Sequence, residues 1–138
     1  MNWTRGEIQY EGLPLLLRRP DYHNIWQYKE IFTQLIRVEH LLDKVTSEGL
    51  PEKIYNQSLS GFDKYMCGLF GHNTNGIIFL IETYSGKRNY WYYTTPQYDI
   101  TKLIDRAAVD FNLKLAVKTK DDKNWGFFKA YPVQLFKP

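Results

Sequence analysis

Residues 77–84, Ile-Ile-Phe-Leu-Ile-Glu-Thr-Tyr, form an almost unbroken apolar run, and nothing else restricts the fold as much. The run is far shorter than the ~18 apolar residues that span a bilayer. It suits a strand buried on both faces, in the centre of a sheet. Ser85-Gly86 offers a turn, and residues 88–95, Arg-Asn-Tyr-Trp-Tyr-Tyr-Thr-Thr, read as the returning strand. Strand alternation places Tyr90 and Tyr92 on one face of this ribbon and Trp91 and Tyr93 on the other. Only one set can face helices. The other is expected to face solvent, a terminal segment or a partner.

Two amphipathic segments could supply those helices. In residues 50–70, Tyr55, Leu59, Phe62, Met66 and Leu69 recur at three- and four-residue spacing and draw one apolar stripe. Pro51 suits the first helical turn, and Glu52 suits the positive end of the helix dipole. Further on, Asp99 is a good N-cap for a helix carrying Ile100, Leu103, Ile104, Ala107, Ala108 and Phe111. Residues 113–119 then alternate as a half-exposed strand, with Leu113, Leu115 and Val117 on one side.

The N-terminal third is less periodic. Residues 7–19 read as a strand pair about a Glu11-Gly12 turn. Residues 21–33 fit a short helix only loosely. Leu35 to Leu42 can be written as a strand, with Ile36, Val38, His40 and Leu42 on one face, or as a continuing helix; the strand is preferred. The order β-β-(α)-β-α-β-β-α-β predicts an α+β fold, an antiparallel sheet with two main helices on one face. Its later part has the order of a ferredoxin-like sandwich, with an extra N-terminal strand pair. A single domain over 1–138 is expected: a hairpin at 7–19, an α+β body at 34–131 and a loose tail at 132–138.

Composition narrows the function classes. Of 138 residues, 17% are aromatic, and Tyr and Trp are types enriched at protein interfaces as well as in sheet cores. A net charge of +3 is too small to argue for nucleic acid, and no basic run of five or more occurs. Cys67 is the only cysteine, so no internal disulfide forms and an oxidising compartment is not needed. The first residues carry no apolar stretch of a secretory type, and a cytoplasmic location is expected.

Candidate chemistry is sparse. Cys67 with His72 five residues on is the one thiol–base pairing, and a buried inert thiol explains Cys67 better. His23, His40 and His72 lack the paired spacing of a zinc site. His40, on a largely apolar strand face, suits a satisfied structural histidine. Asp121-Asp122 is the one adjacent carboxylate pair, better explained as turn residues or a helix cap. Gly86-Lys87-Arg88 lacks the rest of a phosphate loop. No catalytic residue, metal or cofactor is expected. The cluster that remains is Lys87, Arg88, Trp91, Tyr93 and Trp125, of types that dominate interface hot spots. It reads as a partner-binding surface or as a structural arginine clamped on a covered sheet.

Taken in order, the motifs resemble a known family. Gly49-Leu50-Pro51 opens a helix, Thr83-Tyr84-Ser85-Gly86-Lys87-Arg88 leads into the aromatic strand, and Lys120-Asp121-Asp122-Lys123-Asn124-Trp125 follows the last strand. This pattern is similar, over residues 6–131, to that of the bacterial domain-of-unknown-function family numbered 695. The family carries no settled activity. The resemblance implies a ferredoxin-like fold similar to the regulator of ribonuclease activity B, and a strand at Leu35–Leu42. Asn89 and Tyr90 stand where that family commonly has an acid; if the arginine pairs with that acid elsewhere in the family, Arg88 must find another partner here. The expectation is a non-catalytic protein-binding module, in its specific form an immunity or inhibitor protein that neutralises a bacterial toxin. The alternative is a single-stranded nucleic-acid or ribonuclease-regulating binding protein. No membrane partner is expected.

Overall fold

A computed structural model describes residues 2–132; the expected tail lies largely outside that range, at 133–138. Strands β4 (Gly76–Tyr84) and β5 (Lys87–Thr94) form the central hairpin. At its turn Ser85 (φ 49°) and Gly86 (φ 83°) are both left-handed, the geometry whose twist matches two right-twisted strands. Glu11 (φ 49°) and Gly12 (φ 84°) repeat it between β1 (Trp3–Tyr10) and β2 (Leu13–Pro20). β3 (Gln34–Leu41) and β6 (Leu115–Asp121) complete a six-stranded sheet of order β1-β2-β4-β5-β3-β6, antiparallel throughout. The four strands β4-β5-β3-β6 have the ferredoxin-like order, and the N-terminal hairpin extends the sheet beside β4. β6 starts two residues later than its alternation suggests, because Leu113 is still bonded back to Ala108.

Helices α1 (Lys53–Ser58), α2 (Ser60–Cys67) and α3 (Thr101–Asp110) cover one face. There Phe62, Met66, Ile104 and Ala107 pack on Ile36, Val38, Ile78, Ile81, Tyr90 and Tyr92. The expected single helix over 50–70 is therefore two. It breaks at Leu59, where Ser58 turns its hydroxyl onto the Tyr55 carbonyl and the Leu59 amide makes a three-residue turn to Asn56. Pro51 lies ahead of the helix, bridged to Val45. Asp99 does cap α3, its Oδ1 accepting from the Thr101 amide at 2.9 Å.

The opposite face is sealed as well: of the covers expected for the second side of the aromatic ribbon, it is segments of this chain, neither solvent nor a partner, that lie on it. Two straps cover it: residues 21–33, with a 3-10 turn at Ile25–Tyr28, and the short α4 (Gly126–Ala130). Ile25, Phe32, Trp125 and Phe128 pack there on Leu15, Leu17, Leu35, Ile77, Phe79, Leu80, Trp91 and Tyr93. A β-bulge between Ile78 and Leu80 turns both Phe79 and Leu80 toward this side.

Candidate functional site

The structure brings Trp91, Tyr93 and Trp125 together, as the core of the strap face rather than a surface. Trp91 is 8% exposed, Tyr93 and Trp125 0%. Trp125 adopts the left-handed region (φ 55°), stacks on Tyr93 at 4.6 Å between centroids and donates its indole N–H to the Phe32 carbonyl at 2.7 Å. Trp91 stacks on Phe127 at 4.0 Å and donates to Glu82 Oε1 at 2.8 Å. Asp122 accepts from the Gly126 and Phe127 amides and from the Tyr93 hydroxyl, so the Asp-x-x-Trp motif caps α4 and seats the strap. As partner-binding residues these three aromatics are corrected to packing residues. Lys87 is exposed, and Arg88 is buried on the helix side at 7% exposure.

The other motifs meet one another. Gly49 (φ 81°) lies against the β4–β5 turn: a Cβ on it would sit 2.8 Å from Ser85 Cα. Its carbonyl accepts from the Gly86 amide at 2.8 Å. Only glycine allows both the conformation and the approach. Two positions on, Arg88 donates Nε to Thr83 Oγ1 at 2.9 Å and Nη2 to Asn56 Oδ1 at 3.0 Å. The partners it finds in place of an acid are thus neutral.

Two clefts flank this hairpin, one on each face. The strap-side cleft holds about 530 Å³ and is walled by Tyr10, Tyr84, Phe127 and Tyr131, with Arg37, Lys87, Glu11 and Glu39 among its charged groups. Glu82 and Asn89 line it too. Glu82 gathers hydrogen bonds from Trp91, Asn89 and Tyr131. Since Asn89 Nδ2 donates to that carboxylate, its Oδ1 is the remaining acceptor, and this atom is buried without a partner among the described residues.

The helix-side cleft holds about 360 Å³ and is lined by Arg5, Arg18, Asn56, Gln57, Asp63 and Arg88 among others. Asp63 receives Arg18 through both guanidinium nitrogens, one at 2.9 Å, and the Tyr90 hydroxyl at 2.8 Å. Burial alone would push the Asp63 carboxyl up; the bonds and charge of Arg18, the Tyr90 hydroxyl and the Arg88 charge outweigh it and hold it below the usual range. Burial and the nearby Asp63 push the Cys67 thiol up to about 11, so Cys67 is not an activated nucleophile. His40 lies opposite Arg88 in the β3–β5 register, edge-on to Phe62. Burial, then the charge of Arg88, lowers it to about 4 against the opposing pull of Asp43. It is buried as expected but not satisfied: its Nδ1 has no partner among the described residues. Among the described residues no group of three or more His, Cys, Asp or Glu is placed to share a metal ion.

Arg18, Asp63 and Glu82 were missed as site residues, although Asp63 and Glu82 each left a signal. Asp63 is a charge at i+4 from Leu59, on the buried stripe of a helix, and Glu82 interrupts the most apolar strand. Charges in such places are seldom there without partners. Asn89 and Tyr131 had no comparable signal.

Residues 19–131 match the model of the Family of unknown function (DUF695), and the chain belongs to that family. No curated protein and no solved structure matches it. β1 and nearly all of β2 precede the matched region. Among the described residues no helix is long and apolar enough to cross a membrane.

Proposed function

We propose that this DUF695 protein is a non-catalytic binding module that recognises a segment of another protein in its strap-side cleft. The observation that carries this reading is a half-open cleft with aromatic walls, lined by Asn89, whose buried Oδ1 has no partner among the described residues. A volume of about 530 Å³ lies within the range of ligand pockets. A buried acceptor left unmade costs about 1–3 kcal/mol, which a donor in the cleft recovers once the Asn89 side chain turns toward it. An extended peptide supplies backbone N–H donors, together with apolar side chains for Tyr10, Tyr84, Phe127 and Tyr131. Arg37 and Lys87, mixed with Glu11 and Glu39, select its flanking charges.

An immunity or inhibitor protein acting on a toxin is the narrower form of this reading. With the aromatic ribbon sealed, only the cleft supports it. The single-stranded nucleic-acid alternative needed the same open stacking platform, and no observation now favours it.

The test is a peptide-display selection on the intact protein, repeated with Lys87→Glu and with Asn89→Leu. Enriched sequences should share a motif, and both variants should reduce their binding at least tenfold. No enrichment, or binding indifferent to both substitutions, overturns the proposal.

A further inference from the structure

The helix-side cleft carries a charge imbalance that its own residues leave unresolved. Arg5, Arg18 and Arg88 line it, and Asp63 is its one acidic lining residue, a net charge of +2. That carboxylate is already committed: it accepts two bonds from Arg18 and one from Tyr90. Arg88 is 93% buried by its 7% exposure, and its two hydrogen bonds go to a hydroxyl and an amide. Among the described residues no carboxylate lies within ion-pair distance of Arg88 or Arg5. The charge of Arg88 reaches Asp63 without a direct ion pair, and a buried guanidinium lacking such a pair is costly, so buried charges are ordinarily paired. Here Arg88 is held rigidly by Thr83 and Asn56, leaving Nη1 without a hydrogen bond among the described residues.

We infer that this cleft binds the phosphate group of a small phosphomonoester, with Arg88 as its buried contact and Arg5 at its mouth. A phosphate monoester carries about −1.5 to −2 charges at neutral pH and three acceptor oxygens, which matches the net +2; a carboxylate would leave half of it uncompensated. Planar guanidinium groups suit such an anion. The volume of about 360 Å³ leaves room for a small organic group beyond the phosphate. The site lies on the opposite face from the peptide cleft and does not depend on it.

The experiment measures thermal stability of the intact protein against phenyl phosphate, inorganic phosphate, acetate and chloride at matched ionic strength. A ligand of the folded state raises the melting temperature saturably. Phenyl phosphate should do so at lower concentration than inorganic phosphate, with acetate and chloride near baseline. Arg5→Gln and Gln57→Glu, both at exposed positions, should weaken phenyl phosphate about tenfold, as expected for losing a charge-assisted contact or adding a like charge. Arg88→Met should abolish the response. Equal effects of acetate or chloride, tighter inorganic phosphate, or affinity unchanged in both exposed variants would each overturn the inference.

Discussion

Both faces of the sheet are buried, but by different means. The helix face follows a rule visible in the chain: apolar residues at helical spacing meet apolar residues at strand spacing. The strap face is closed by ring stacking. Tyr93 on Trp125, Phe79 on Tyr93 at 4.8 Å and Trp91 on Phe127 hold irregular segments with little periodicity of their own. Large rings bury much area per residue and so can replace a helix as a cover. The lesson is that an aromatic strand beside irregular aromatic segments is as consistent with a strap as with a docking face.

The strongest way to break this comparison is Trp125→Ala. If the strap is a true half of the core, the variant loses about 3–5 kcal/mol of unfolding free energy in urea, comparable to about 2–5 for Ile104→Ala under the helices. A loss below about 1 kcal/mol would mean the strap lies loosely and the ribbon opens after all. Next in size is Gly49→Ala on the helix side. Its strained φ and the contact with Ser85 Cα should cost about 2–3 kcal/mol, measured the same way, and an unaffected protein would remove the Gly49–Gly86 clamp from the account.

His40 sharpens the contrast through pH. Its folded value of about 4 lies below the ordinary 6.5, so the unfolded chain binds more protons between those values. Stability contributed by neutral His40 is complete above pH 6.5 and is lost as pH falls toward 4. Unfolding free energy should drop by about 1–2 kcal/mol from pH 7 to pH 5, and His40→Leu should flatten that decline. The smallest effect is expected at Lys87→Ala, in the strap-side cleft. Its 3.8 Å ion pair with Glu39 is half exposed, and stability should change by less than about 0.5 kcal/mol.

Sequence reasoning reached the fold where periodicity was long enough to register. The central hairpin, the Phe62–Met66 stripe and the Asp99 cap agree with the structure, and so, within one residue, does the strand preferred at Leu35–Leu42, a choice to which the family resemblance contributed. It stopped at features without a period. α4 spans one turn, Gly126–Ala130, too short for a stripe. Trp125 in a left-handed conformation breaks the expectation for a bulky side chain. The bulge at Phe79 changes which side two residues face and leaves no mark in an unbroken apolar run. Lys87 and Arg88 were singled out together, yet alternation sends them to different clefts. Trp91, Tyr93 and Trp125 were grouped correctly, but nothing in their identities says whether solvent or a strap meets them.

The N-terminal hairpin acts as a guard rail for β4. β2 pairs with β4 through Leu16–Thr83, Leu17–Glu82 and Arg18–Ile81. Cutting the chain after Pro20 would strip that cover and leave the most apolar strand in the molecule as a naked border, ready to stack against its copies in place of its own hairpin. A fragment trimmed to the family-matched region would accordingly tend to aggregate, even with every residue of the central ribbon intact.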